Sequence, residues 1–378
     1  MKTIVDYVDN FNLTFDQVAI NEVDFAVFSN FSMNKIENVM NFELPKRDNP
    51  TSLLLSFVNN SNPFKREITI KDLYKSEYFD KLVTKDQNPK DLDILKKMAC
   101  NPRFRDLVIR YQVAEHDESK VKQFSALTFI YQDKFAVIAY RGTDHSVIGW
   151  KEDFNLSFLN AVPSQISAAQ YLNNVASYLP KKLYLCGHSK GGNLALYAGM
   201  KCDEAIFNRI VKISSFDGPG FNESYKEDQD YLKIVPKTTK YIPQTSIIGL
   251  LMNTLEPIKV VYSSENLILQ HELHSWEVIN NHFKTLPSVD DFAKLSDAAI
   301  DDWFKEMSYS QKQEFVEVFF GVILEAGVKD FDNIKNIPAT FKKFNKLLAK
   351  KDKETRDFLN SRLWALIANH FKNIKFGK

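Results

Sequence analysis

Residues 183–200 hold the feature that most limits what this chain can fold into. Leu183-Tyr184-Leu185-Cys186 suits a buried strand, Gly187-His188-Ser189-Lys190-Gly191-Gly192 follows at once, and Asn193 to Met200 has helical character. A serine in G-x-S-x-G spacing between a strand and a helix sits on a tight turn with strained backbone angles, and the flanking glycines let that turn close without a clash. The helix beyond aims its partly positive end at the serine, and the Lys190 backbone N–H is placed to donate to a developing oxyanion.

The neighbouring pattern gives this turn a sheet to stand on. Phe124 to Tyr131 and Phe135 to Tyr140, split by Asp133 and Lys134, read as a hairpin. Ile166, Ala169, Tyr171, Leu172, Val175 and Leu179 recur at helical spacing and stop at Pro180. Ile210 to Phe216, Thr239 to Pro243 and Ile258 to Tyr262 are further strands, so strand and helix alternate with short connections. That order predicts an α/β chain with a mostly parallel sheet covered on both faces. Residues 1 to about 100 read as mixed and weak, with helical stretches at Ile36 to Met40 and Leu92 to Met98. After Leu286-Pro287 the strands cease. A capping box at Ser288 and Asp291 is expected to open a helical tail of Ala293 to Met307, Gln311 to Ala326, Ala339 to Lys350 and Glu354 to Phe371. The expected division is 1–286, including the N-terminal mixed segment, and a helical extension over 287–378.

A neutral serine is a poor nucleophile and needs a base oriented by an acid. On such a sheet the acid and then the histidine follow the serine along the chain. His271, His274, His282 and His370 follow Ser189, and the first two lie in a loop just after the strands. His271 is taken as the base, with His274 as the alternative; His188 reads as packing beneath the turn. Asp217 ends the strand Ile213 to Phe216 and heads Asp217-Gly218-Pro219-Gly220, which makes it the candidate acid, with Asp230 in reserve. Arg141-Gly142-Thr143 directly follows an earlier strand, where a second oxyanion donor belongs. Thr143 offers a backbone N–H and a hydroxyl there.

Composition narrows the partners. Lys+Arg 49 against Asp+Glu 48 leaves a formal charge of +1, no overall footprint for nucleic acid. Cys100, Cys186 and Cys202 match neither a zinc site nor a disulfide framework, and no metal or organic cofactor is called for. Without a signal-like apolar start or a long apolar span, a cytoplasmic setting is expected, with signal-independent export still open. The tail is polarised: residues 290–332 carry 11 acids and 4 bases, residues 335–378 carry 12 bases and 3 acids. Two helical halves that attract each other explain this, as does a basic surface for an anionic membrane with Leu359, Leu363, Leu366, Ile367 and Phe371 on one stripe.

Tyr140-Arg141-Gly142-Thr143 with Trp150 and Asp153, followed by Gly187-His188-Ser189-Lys190-Gly191-Gly192, resembles the paired motifs of the fungal-type (class 3) lipases. The resemblance implies an α/β-hydrolase fold, Thr143 as an oxyanion donor and Asp144 to about Asn160 as a lid. The chain is also similar, and more closely, to a bacterial family of lipase-like α/β-hydrolases over residues 13 to 280. The shared segments are Leu13-Thr14-Phe15, Asn21-Glu22-Val23-Asp24, the elbow, Asp217-Gly218-Pro219-Gly220-Phe221, Ile242-Pro243-Gln244-Thr245-Ser246-Ile247-Ile248-Gly249, and Gln270-His271 with Ser275-Trp276. Two departures stand out. Lys240-Tyr241-Ile242-Pro243 has no carboxylate where class 3 lipases carry their acid, and Lys190 replaces an apolar residue. Its charge reads as solvated or as a complement to an anionic head group.

Together these readings predict a serine hydrolase of a carboxylic ester of a lipid or phospholipid, working through Ser189, His271 and Asp217 and an acyl-enzyme, with Thr143 and Lys190 forming the oxyanion hole. A thioesterase, peptidase or acyltransferase on the same triad, and a non-catalytic hydrolase-shaped binding module using the basic helices, are the alternatives.

Overall fold

The computed structural model describes residues 2–40, 42, 44–45, 67–84, 87–331 and 337–376, of which 337–338, 341 and 366–376 are described by their backbone. Strand formation begins where β-branched and aromatic residues concentrate. The strands are β1 Val108–Asp117, β2 Lys122–Tyr131, β3 Phe135–Tyr140, β4 Lys182–His188, β5 Ile210–Phe216, β6 Thr238–Pro243, β7 Ile258–Val261, β8 Val278–Ile279, β9 His282–Phe283 and β10 Thr285–Leu286. Among the described residues the main sheet runs β1-β2-β3-β4-β5-β6-β7-β10. Neighbours from β3 to β7 pair in parallel, while β1, β2 and β10 are antiparallel at the two edges. This is a mostly parallel sheet flanked by helices, the α/β-hydrolase arrangement.

Strand alternation divides the core. Val137 and Ala139 of β3 face one side with Cys186 and Phe216, where Ile4–Asn10, Glu22–Phe31 and Pro89–Cys100 pack as helices. Ala136, Ile138 and Tyr140 face the other side with Leu183, Leu185 and Ile213, beneath the helices Pro163–Val175 and Lys190–Lys201. Among the described residues the N-terminal region is thus largely helical rather than mixed. All ten residues of Glu22–Phe31 are buried, and burying each of its phenylalanines stabilises by about 1.5–3 kcal/mol. An all-round buried helix has no polar face, so periodicity does not reveal it. The expected helix at Ile36 to Met40 is a single 3-10 turn, Ile36–Asn38.

Arg103 fastens this N-terminal layer. Its guanidinium is buried, pairs with Asp24 through both Nε (2.8 Å) and Nη2 (2.6 Å), and donates to the carbonyls of Leu13, Val18 and Ala19. Strand β1 has no counterpart in the sequence reading. Its register shifts between Arg110 and Val113 and Tyr111 has φ 56°, a bulge that breaks the period-two pattern.

Beyond β10 the chain is helical at Asp291–Lys305, Tyr309–Glu325, Ile337–Leu348 and Lys353–Phe376. The first of these is capped by Asp290, whose carboxylate accepts from the Ala293 N–H at 2.9 Å, and not by Ser288. Trp303, Phe315, Phe320 and Leu359 form a third apolar cluster with Val147 and Phe154 of the helix Val147–Asn155. Leu359 is buried in it and Leu363 packs against it, whereas the side chains of Leu366, Ile367 and Phe371 lie outside the described residues. The acidic and basic halves touch where Lys351 pairs with Glu325 at 2.9 Å.

Candidate active site

The elbow forms because β4 ends at His188 and the next helix starts at once, at Lys190. Between them Ser189 has φ 56° and ψ −134°, a region in which side chains are strained. The crowding explains the glycines. A Cβ on Gly187 would lie 2.1 Å from the Gly191 carbonyl oxygen, and one on Gly191 would lie 2.1 Å from that of Tyr140.

The loop after β3 lies directly against this turn, since a Cβ on Gly142 would stand 3.2 Å from the Ser189 Cβ. The Thr143 amide therefore belongs to the same small region as the Lys190 amide. The Thr143 hydroxyl does not face a substrate position as a spare donor: it donates to Asp153 Oδ2 at 2.6 Å.

Asp217 follows the last residue of β5, the strand next to β4, and is itself left-handed at φ 47°. It is buried, and its carboxylate is fully engaged. Oδ1 accepts from Ser246 Oγ at 2.5 Å and from the Gly249 N–H at 3.1 Å, and Oδ2 accepts from His271 Nδ1–H at 2.6 Å. That bond leaves Nε2 of His271 as the ring nitrogen able to take a proton. Desolvation lowers the His271 pKa, but the bond to Asp217 and the Asp217, Glu272 and Asp153 charges outweigh it and hold it above the ordinary histidine value.

His188, beside the serine, sets its ring against that of His271 with centroids 4.4 Å apart and the planes tilted by 39°, and donates from Nε2 to the His271 carbonyl at 2.8 Å. Burial and the neighbouring His271 push its own pKa down to about 4, so it stays neutral as a prop. His274 is elsewhere: it is buried against Asp91 (3.1 Å) and Asn30 (3.2 Å) of the N-terminal helices. Asp230 is likewise apart, paired with Lys201 at 2.6 Å on the outside of the elbow helix.

One expectation needs correction. The Lys190 side chain is neither solvated nor open to a head group; it is 1% exposed and its ammonium points inward to Gln123 and Glu152. The segment 144–160, the lid by resemblance, holds the helix Val147–Asn155 pinned by the tail. The Val147 N–H donates to the Lys329 carbonyl, the Phe331 N–H to that of His145, and Lys151 pairs with Glu317 at 2.7 Å.

Sequence reasoning missed Ser246 and Gly249 as the holders of the acid. A Cβ on Gly249 would lie 2.3 Å from Asp217 Oδ1, so the shared Ile242–Gly249 segment was itself the available signal. Among the described residues no group of three or more His, Cys, Asp or Glu is placed to hold a metal ion, and no helix is long and apolar enough to cross a membrane.

A family model described as Mbeg1-like matches residues 98–321, more than half of the chain. The chain belongs to the Mbeg1-like family. The match runs from the end of the N-terminal layer, through every strand of the main sheet, into the helix Tyr309–Glu325. No curated protein matches this Mbeg1-like chain in sequence. Among solved structures it is similar to the Rhizomucor miehei lipase propeptide complex, with 13% identity over 50% of this chain and 62% of that one, at a TM-score of 0.33. A fungal lipase–inhibitor complex (15% identity, 47% and 70% covered, TM-score 0.33) and M37 lipase (14%, 61% and 69%, 0.33) are similar to the same degree. The chain thus spans less than two thirds of the Rhizomucor miehei enzyme's length.

Proposed function

We propose that this Mbeg1-like protein is a serine hydrolase of carboxylic esters, with Ser189 as nucleophile, His271 as base and Asp217 as the acid that orients it. The observation that carries the reading is the 2.6 Å bond from His271 Nδ1 to the buried Asp217 carboxylate, on a histidine whose ring packs against that of the residue preceding a strained serine. Ser189 Oγ attacks the ester carbonyl while His271 Nε2 takes its proton. The Thr143 and Lys190 amides receive the oxyanion, and the proton passes to the leaving alcohol. Water then attacks the acyl-enzyme by the same route in reverse roles and frees Ser189.

Leu267, Ile268 and Leu269, each more than half exposed and immediately before Gln270-His271, favour an apolar acyl group over a peptide. Three consecutive aliphatic side chains left in water just before His271 in the chain suit contact with a lipid acyl chain.

The test is an active-site-directed fluorophosphonate. It should label the wild-type chain and spare Ser189→Ala; equal labelling of the variant would remove Ser189 from the role. Turnover of matched ester, thioester and amide substrates separates an esterase from a thioesterase or peptidase, and a dominant rate on the amide would overturn the ester assignment.

A further inference from the structure

Behind the oxyanion loop lies a buried polar cluster that the triad chemistry leaves unused. Lys190 Nζ donates to Gln123 O (3.0 Å), Gln123 Oε1 (2.7 Å) and Glu152 Oε2 (3.0 Å), which occupies all three of its protons. Glu152 is wholly buried, and accepts in addition from the backbone N–H groups of Gln123 (3.0 Å) and Ser164 (2.9 Å). Asp153 Oδ1 has no hydrogen-bond partner and stands 3.7 Å from Lys190 Nζ, while its Oδ2 takes the Thr143 hydroxyl. Gln123 closes the circuit by donating to the Gly142 carbonyl at 3.4 Å.

Resting on the hydrolase reading, we infer that the Lys190 side chain is a positioning residue. It fixes the oxyanion donors of its own backbone and of Thr143 relative to one another, acting through Glu152, Asp153 and Gln123. The two amides sit on different elements, the start of the helix Lys190–Lys201 and the loop after β3. The ammonium ties the first to the helix Val147–Asn155 through Glu152, the Thr143 hydroxyl ties the second to the next residue of that helix, Asp153, and the ammonium faces that carboxylate too. It also sets the state of Asp153. Burial pushes that carboxyl up to about 6, Glu152 and Asp144 push the same way, and Lys190 with the Thr143 hydroxyl opposes them. Without the ammonium Asp153 would rise further, which favours its protonated form. Its hydroxyl would then compete as a donor, and the Thr143 hydroxyl would lose its fixed acceptor.

Lys190→Met alone would strand the Glu152 charge, so the informative variant is Lys190→Met/Glu152→Gln in the full chain. With p-nitrophenyl butyrate as the probe, kcat should fall about tenfold or more with KM nearly unchanged and the melting temperature held. Adding Thr143→Val should cost little beyond that, because both changes break one relay. Asp153→Asn, which keeps the shape but replaces the charge facing Lys190 with a neutral amide that carries a donor, should behave the same way with Thr143→Val. Wild-type kcat in either background, or fully additive losses, overturns the positioning role. A wild-type chain that neither hydrolyses the ester nor labels at Ser189 sinks the hydrolase reading and this inference together.

Discussion

His271 and His274 lie three residues apart, and both have pKa values held above the ordinary histidine range, yet their partners divide their roles. As the proposed base, His271 must be neutral to accept a proton, so activity should fall as pH drops through a value above about 6.5. Asp217→Asn removes the main group raising that value. It should lower kcat by about 10⁴-fold, as loss of a triad acid does elsewhere, and move the acid limb of kcat/KM to lower pH. A limb that stays in place would detach Asp217 from His271. His274 gains Asp91 and Glu272 on folding despite its burial. Because its folded pKa is raised, the stability it adds is complete below about pH 6.5 and fades as pH climbs through the folded value. A comparison of melting temperatures for wild type and His274→Gln should show a gap that narrows from pH 6 to pH 8. Gly249→Ala places a methyl against the Asp217 carboxylate and should cut kcat far more than it cuts stability; a variant with normal kcat would show that the acid has room to shift.

At the scale of elements, strands β2 to β7 and the elbow were legible because β-branched runs, Gly and Pro mark them locally. The helix Glu22–Phe31 and bulged β1 were not, since a helix buried all round and a strand with an inserted residue each lose the periodicity that sequence reading depends on. The site followed the same division. Ser189, His271 and Asp217 announce themselves by position along the chain, and the geometry joins the last two. Lys190 misled, because whether a lysine beside a serine turns outward or inward depends on Gln123 and Glu152, which are remote in sequence. The Arg103–Asp24 pair is another remote bond of this kind. Arg103→Met should leave a buried carboxylate unpaired and cost about 3–5 kcal/mol, read by chemical denaturation. A loss under about 1 kcal/mol would mean the N-terminal layer is held by its apolar face alone.

For the whole molecule, the helical tail and the segment 144–160 share one apolar cluster. A chain ending at residue 287 would expose Val147 and Phe154, whose buried apolar mates in that cluster all lie in the part removed. We expect such a truncation to aggregate or melt well below the full chain, while equal stability would make the tail an independent appendage. The basic half, 12 bases against 3 acids over residues 335–378, keeps the membrane proposal testable. Sedimentation with vesicles containing phosphatidylserine should be salt-sensitive if those helices bind an anionic surface. Binding indifferent to both salt and lipid charge would count against it.

Both Ser189 and Asp217 close adjacent parallel strands in left-handed backbone, each costing of order 1–3 kcal/mol. Durability and reactivity therefore pull against each other at two neighbouring positions. A glycine at residue 189 would relax the hinge, and the inert chain so made should outlast its parent on heating.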